Sequence, residues 1–294
     1  MIILDFNALA ISHIITQQVE MSEDLIRHQI LNNIRVYRNK FKKEYGEIVV
    51  ACDSRSWRKE YYPEYKAGRA NARAESSMDW NEAFRIIDLI RQELQENFPY
   101  KVIKIERCEA DDIIGTLVEN TTEFGQYENV LIISGDKDFV QLQRYDNVRQ
   151  WSPIRKDFID EPNPKLFLME HILRGDPGDG VPNVLSDDDT FIVKEKRQTP
   201  LSKKKMSEII QEITYQRNEF IINGPQEMPT HAWWWRNYSR NRKLIDLSYT
   251  PGDLKRDIIQ EYESQDQYQN KGKVFPFLVA KRCKVLLETV EDFI

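Results

Sequence analysis

The sequence predicts an α/β fold with a mainly parallel central sheet and helices on both faces, followed by a smaller, mainly helical C-terminal domain. Two observations carry this. Through about residue 155, short β-branched apolar runs alternate with longer segments of helical spacing. After about residue 185 the strand-like runs stop, while helical periodicity continues.

The first strand is Ile2–Phe6, an aliphatic run ending at an acid. From Glu23 to Glu44 apolar residues recur every three or four positions (Ile26, Ile30, Ile34), the spacing of an amphipathic helix. Ile48–Cys52 is the second strand, and Asp79 to Asn97 returns to helical spacing. Val102–Ile105, Val130–Ile133 and Val148–Trp151 supply three more strands, with a helix from Ala110 to Phe124 between the first two. A further helical run ends near Arg174. Gly175-Asp-Pro-Gly-Asp-Gly-Val-Pro-Asn183 then packs glycine and proline densely enough to form a fixed tight loop. Ser186-Asp-Asp-Asp189 and the lysine-rich stretch after it are expected to be a linker or mobile loop, because blocks of like charge repel and stay solvated. Helices are expected at Ser202–Glu219, Pro251–Glu263 and Phe275–Phe293. The expected domains are therefore 1–185 and 186–294.

The chain has 294 residues, 40% hydrophobic and 31% charged, enough apolar material for a packed core. No apolar run approaches the ~20 residues of a membrane span, and no secretory signal pattern precedes a cleavage site. Cys52, Cys108 and Cys283 are odd in number and far apart, which excludes a disulfide framework and gives no zinc pattern. A soluble, monomeric, cytoplasmic protein with no membrane partner is expected. Net charge is −6, yet the charges are sorted. Ser54 to Arg73 holds six cations (Arg55, Arg58, Lys59, Lys66, Arg69, Arg73) against two acids. Lys194 to Lys205 holds six against one, and Trp233 to Lys243 four against none. Such sorting suits a chain that meets a polyanion on one surface and cations on another.

Acids fall where an open α/β sheet binds ligands, beyond the carboxyl ends of its strands. Asp5 closes the first strand and Asp53 the second; Glu109, Asp111 and Asp112 follow the third, and Asp136 and Asp138 the fourth. Asp176 and Asp179 lie in the glycine loop. Acids in a first helical turn often only complement the helix dipole, so the joint pattern carries the inference. Gathered carboxylates repel by about 1 kcal/mol per pair at 4 Å even in water, and cations relieve this. Oxygen-only ligands select hard ions, Mg²⁺ or Mn²⁺, and two such ions beside basic surface suit phosphodiester hydrolysis.

Other α/β chemistries fail on their residues. No G-x-G-x-x-G follows the first strand and no P-loop exists. Asn7 replaces the second acid of an Asp-x-Asp phosphatase, no G-x-S-x-G elbow is present, and His13, His28, His171 and His231 lie away from the acid segments. Trp57 to Arg69 interleaves aromatic and cationic residues directly after Asp53, the combination that stacks bases and holds phosphates of a single strand.

Asp5, Asp53, Tyr65-Lys-Ala-Gly-Arg69, Glu109-Ala-Asp-Asp112, Ser134-Gly-Asp-Lys-Asp138 and the Gly175–Asn183 loop occur in an order that resembles the flap endonuclease / 5′→3′ exonuclease family, and within it the ribonuclease H branch of the T-even bacteriophages. The resemblance covers residue 1 to about 185. It continues weakly in Tyr238-Ser-Arg-Asn-Arg-Lys-Leu-Ile-Asp246 and the Lys271-Gly-Lys-Val stretch. It implies a PIN-like 5′ nuclease fold with a helical arch at about 55–82, in host cytoplasm if phage-encoded. It implies a Mg²⁺-dependent nuclease acting on 5′ ends of RNA–DNA hybrids and of nicked or flapped duplex DNA, as in primer removal. By the same resemblance Asp5, Asp53, Glu109, Asp111, Asp112 and Asp136 hold one ion, and Asp138, Asp176 and Asp179 support a second. The 175–183 loop is expected to take a monovalent cation. Lys66 and Arg69 sit over the scissile phosphate, and Tyr65 stacks the terminal base. Arg55, Arg58, Lys59, Arg73, Lys203, Lys204, Lys205, Arg240 and Arg242 contact nucleic acid, and single-strand DNA-binding protein and a sliding clamp are expected partners. The glycine of the family's duplex clamp is missing after Val184. A PIN-type endoribonuclease is the competing enzyme, but it is shorter and lacks the arch motif and the Gly-Asp loop. A catalytically silent branched-DNA-binding protein conflicts with the intact acid set.

Overall fold

The computed structural model describes residues 1–16, 22–123, 127–223, 233–266 and 268–294; Phe124 and His231 lie outside them. In chain order the elements are β1 (Ile2–Asp5), α1 (Phe6–Thr16), α2 (Glu23–Tyr45), β2 (Ile48–Ala51), α3 (Arg58–Tyr61) and α4 (Gly68–Ala74). There follow α5 (Trp80–Asn97), β3 (Lys101–Ile103), α6 (Ala110–Glu123), β4 (Val130–Ile133), β5 (Val148–Ser152) and β6 (Asp157–Ile159). The last helices are α7 (Pro164–Arg174), α8 (Lys203–Asn223), α9 (Trp233–Ile245), α10 (Gly252–Ser264), α11 (Val274–Ala280) and α12 (Lys284–Leu287).

The chain forms two compact units. The first comprises Met1–Ser56, Ser77–Glu161 and Thr250–Ile294. Its sheet has the order β3-β2-β1-β4-β5-β6. Every pairing is parallel except β5 with β6. Ile2 and Leu4 alternate into a core shared with Ile26, Ile30 and Ile34 of α2 and Ile86 and Ile90 of α5. Fully buried aliphatics of this kind contribute roughly 1.5–3 kcal/mol each. Ile3, Val49 and Ile132 alternate to the opposite face, where α6 and α10 pack. The strand order reverses at β1, so chain connections run away from the gap between β1 and β4. A crevice opens there, beyond the carboxyl ends of the strands.

The second unit comprises Trp57–Ser76 and Pro162–Tyr249. Its core joins Tyr62 and Tyr65 to Ile172 and Leu173 of α7, Val181, Met206 of α8 and Tyr238 of α9.

The sequence expectations require four corrections here. These packed units do not divide at residue 185. Val274, Phe277, Leu278 and Phe293 are buried in the same core as Ile2 and Leu4, which puts the C-terminal helices with the sheet. The expected 55–82 arch is shortened at its far end, because Asp79 accepts the backbone N–H groups of Asn81 and Glu82 and starts α5 at Trp80. The Phe275–Phe293 helix is interrupted: Arg282 adopts a left-handed φ of 55°, and Cys283 N–H donates to the Leu278 carbonyl. The Asp187–Asp189 block is ion-paired, with Lys196 on Asp187 and Asp189 and with Arg236 and Arg240 on Asp188. The antiparallel β6 and helix α1 are additions the apolar pattern did not reveal.

Candidate active site

Asp5 is the last residue of β1 and is only 7% exposed. One of its oxygens accepts the Ala8 N–H at 3.2 Å and the other accepts Ser134 Oγ at 3.0 Å. Ser134, immediately after β4, also accepts the Asp136 N–H through its hydroxyl at 3.1 Å. One serine thus ties the two acids on either side of the crevice. Burial, together with the negative charges of Asp53 and Asp136, pushes the Asp5 carboxyl up to about 7. Asp53 and Asp136, which follow two other strands, therefore lie close enough to Asp5 to oppose its ionisation.

Asp53 lies two residues past β2, with its N–H held by Asn7 Oδ1 at 3.0 Å. Its Oδ1 accepts the Ala110 N–H at 2.8 Å, at the start of α6, where unpaired donors and the helix dipole favour a negative charge. Glu109, the residue before, is 7% exposed and accepts Ser56 Oγ at 2.7 Å. Asp111 is half-buried in the first turn of the same helix. Asp138 donates its N–H to Asp136 Oδ1 at 2.9 Å as the chain turns into a short helix from Lys137.

Asp112 lies deeper than the other acids. It is fully buried, one oxygen accepting the Glu109 N–H at 3.0 Å and the other Thr250 Oγ1 at 2.8 Å. Its carboxylate closes the N-terminus of α6 in capping-box fashion and thereby orients Glu109.

Two supporting residues escaped the sequence reading. Fully buried Gln150 of β5 donates from Nε2 to the carbonyls of Ser134 (3.0 Å) and Asp136 (2.7 Å), fixing the turn that carries the acids. β5 reads Val-Arg-Gln-Trp-Ser, with polar residues on both sides of the apolar ones, so the sequence does not single Gln150 out. Asn7 is the other, and its place in a failed Asp-x-Asp pattern concealed its role.

The second unit carries the glycine loop and the basic segment. Gly175 has φ 69°, and a Cβ there would stand 2.3 Å from the Val181 carbonyl oxygen, so only glycine fits. Asp176 and Val181 exchange both backbone hydrogen bonds at 2.8 Å. Asp176 Oδ1 accepts the Gly178 N–H at 2.9 Å, and Oδ2 lies 3.5 Å from His171 Nε2. Asp179, expected to support a metal, instead accepts Tyr65 Oη at 2.9 Å, lies 3.4 Å from Lys66 Nζ and pairs with Arg69. Its carbonyl accepts the Lys66 N–H at 2.7 Å. The loop thus anchors the base of the expected arch.

Tyr65, expected to stack a base, is 3% exposed and packed in the core of its unit. Arg58 is buried as well, its Nε donating to the Leu244 carbonyl at 2.8 Å. Arg240 is 4% exposed, held by Asp188 and the Pro182 carbonyl. All three were expected on the nucleic-acid surface, and each spends its polar group inside the protein. Lys59, Arg69, Lys203, Lys204, Lys205 and Arg242 are exposed, as is Arg55 of the sheet unit. Helix α4 buries no side chain fully, and its Arg69 and Arg73 stand one turn apart; partial burial, and then the Arg69 charge, lower the Arg73 pKa. A short helix with like charges and no buried face gains little from its own packing.

Residues 3–167 match the family model described as 5′-3′ exonuclease, N-terminal resolvase-like domain. Residues 163–293 match the one described as T4 RNase H, C terminal. Ribonuclease H of Enterobacteria phage T4 is 30% identical over 301 residues, covering 99% of this chain and 95% of that protein. Flap endonuclease Xni of Shewanella oneidensis is 35% identical over 145 residues, covering 47% of this chain and 51% of that protein. Among solved structures, the flap endonuclease of bacteriophage T5 in a pseudo-enzyme–product complex with DNA and metal ions aligns with a TM-score of 0.61 at 18% identity. That alignment covers 90% of this chain and 99% of the other. The phage T5 5′-exonuclease with bound zinc aligns at 0.59 and 17% identity, covering 88% of this chain and 98% of the other. Among the described residues, no helix is long and apolar enough to cross a membrane.

Proposed function

The chain belongs to the 5′-3′ exonuclease family, and from that premise we propose that it is a Mg²⁺-dependent 5′→3′ nuclease with ribonuclease H and flap endonuclease activity. Its substrates are 5′ ends of RNA–DNA hybrids and of nicked or flapped duplex DNA, and its role is primer removal during replication in the cytoplasm. The observation that carries the reading is the convergence of Asp5, Asp53 and Asp136: burial, and then the charges of Asp53 and Asp136, raise the Asp5 carboxyl to about 7.

The carboxylate oxygens of Asp5, Asp53, Glu109 and Asp136 fit the hard divalent ions that such chemistry uses. Asp5, Asp53, Glu109 and Asp136 are the residues that hold the ion, Asp111 and Asp138 stand beside them, and Asp112 positions Glu109. A bound pair of ions activates water and stabilises the departing oxygen. Ser134 and Gln150 keep the Asp5 and Asp136 carboxylates in place. Lys66 and Arg69 present positive charge to a substrate phosphate, which shifts them from Asp179 toward the stronger anion.

The test is cleavage of a 5′-labelled flap and a 5′-labelled RNA–DNA hybrid, each with Mg²⁺ and with chelator. Mg²⁺-dependent release of short 5′ products from both is expected, and Asp136→Asn with Asp138→Asn abolishes it while branched-DNA binding persists. Undiminished cleavage by that double variant overturns the assignment.

A further inference from the structure

One cavity of the sheet unit borders the carboxylate cup at Asp53. It measures about 210 Å³ and is lined by Phe6, Asn7, Asp53, Phe84, Arg91 and Lys104, among others. Its size falls below the ~300 Å³ at which pockets for drug-sized ligands begin. It has room for one planar base.

The polar groups around it are supplied in excess of their internal partners. Asn7 gives its Oδ1 to the Asp53 N–H, and its amide NH₂ has no partner among the described residues. Arg91 donates Nε to Asp88 and Nη1 to Gln95, both at 2.9 Å, while Nη2 has no partner among the described residues. Lys104 reaches Asp88 with one ammonium contact at 2.8 Å and is itself exposed. Two aromatic residues therefore accompany a set of spare donors, and Phe84 is half-buried, so part of its surface stays open. Every nucleobase has a π-face to stack and acceptor atoms on its edge, and the phosphate beside it takes the remaining cationic donors.

We propose that this cavity seats the unpaired nucleotide on the 5′ side of the scissile phosphodiester, with its base against Phe84 and its acceptors toward Asn7, Arg91 and Lys104. The inference rests on the nuclease reading above. Asp53 belongs both to the carboxylate cup and to the cavity wall, so an occupant is adjacent to the reacting phosphate. A base whose edge acceptors face Asn7, Arg91 and Lys104 is not paired to another base, and in a flapped substrate the unpaired strand is the departing 5′ strand. The donors contact acceptors common to all bases, so the subsite recognises the presence of a base and not its identity.

The experiment compares flaps that carry an abasic residue on the 5′ side or the 3′ side of the scissile phosphate with an unmodified flap. The full chain with Mg²⁺ is expected to cleave the 5′-side abasic flap roughly five- to tenfold more slowly, the scale of one lost base–aromatic stack. Phe84→Leu keeps the apolar packing but not the ring, and is expected to cleave the two substrates at equal rates. Equal rates for the wild-type protein, or a penalty confined to the 3′-side abasic flap, overturn the subsite. Deoxyadenosine 5′-monophosphate titrated without catalysis supplies an independent reading. Its binding is expected to weaken at least threefold in Lys104→Ala, and unchanged affinity in that variant overturns the subsite. Nucleotide binding retained by a chain that cleaves nothing would reject the nuclease reading and not the cavity.

Discussion

A carboxyl group held near neutrality inside the crevice has a direct consequence for stability. Asp5 titrates near its ordinary value of 3.8 in the unfolded chain and at about 7 in the folded one. Between about pH 4 and 7 the folded protein therefore binds more protons than the unfolded chain. Its stability falls as pH rises through that window. The cost at neutral pH is on the order of 2–4 kcal/mol. Denaturant unfolding in chelator is expected to give a stability that declines from about pH 4.5 to pH 7.5, while Asp5→Asn flattens the decline and stabilises the metal-free protein at neutral pH. Millimolar Mg²⁺ restores the wild-type protein, because ions that bind the deprotonated site displace its proton. A pH-independent wild-type stability would remove the like-charge crevice from the account. Gln150 gives the complementary case of support without charge. Gln150→Leu leaves the Ser134 and Asp136 carbonyls without their donor in a buried site, at roughly 1–3 kcal/mol. The expected signature is a fall in kcat at nearly unchanged KM in the flap assay, since the acids lose their position and the substrate surface does not.

The elements show what the sequence displays and what it conceals. Strands β1 to β5 and helices α2, α5 and α6 were legible because burial on both faces forces continuous aliphatic runs, and burial on one face forces helical spacing. The positions of the acids followed from the strand ends. Asp112, Asp179, Tyr65, Arg58 and Arg240 have internal partners that the sequence does not reveal, for a single physical reason. Residue type states which bonds a side chain can make, while tertiary packing decides whether water, ligand or backbone receives them. Asp179 is the clearest instance, since its partners Tyr65, Lys66 and Arg69 precede it by more than a hundred residues. The anchored loop and arch base make two predictions. Gly175→Ala drives a Cβ against the Val181 and Pro182 backbone at a left-handed φ and is expected to lower the unfolding midpoint by several degrees in a thermal melt. Asp179→Asn keeps an acceptor for Tyr65 but removes the charge that holds Lys66 and Arg69. Limited trypsin digestion is expected to cut the 57–76 segment faster in that variant, and single-turnover cleavage to slow by more than tenfold. A digestion pattern and rate equal to wild type would mean that the loop does not hold the arch base.

At the scale of the whole molecule, the proposed nuclease would have to bind a polyanion with a net charge of −6, and the sorting of its charges suits it to that. Several acids are neutralised internally, as Asp188 is by Arg236 and Arg240 and Glu119 is by Lys255. Exposed cations such as Lys203, Lys204 and Lys205 are thereby left to define the outward field. These three lysines also stand in the first turn of α8, where the helix dipole already presents positive charge. Their placement costs the helix stability, which distinguishes a binding function from a folding one. Replacing all three with glutamine is therefore expected to leave the melting temperature unchanged or slightly raised. The affinity for a branched duplex should fall nonetheless, and the slope of log K against log salt should become shallower by roughly two to three, about 0.9 for each phosphate contact removed. Filter binding of a 5′-flapped duplex from 50 to 300 mM salt measures the slope, and a scan of the same variant measures the melting temperature. A lower melting temperature with an unaltered slope would return the lysines to the role of solvated helix surface. The combination of retained stability and lost salt dependence belongs to a protein that carries its nucleic-acid contacts on a locally basic face despite an acidic whole.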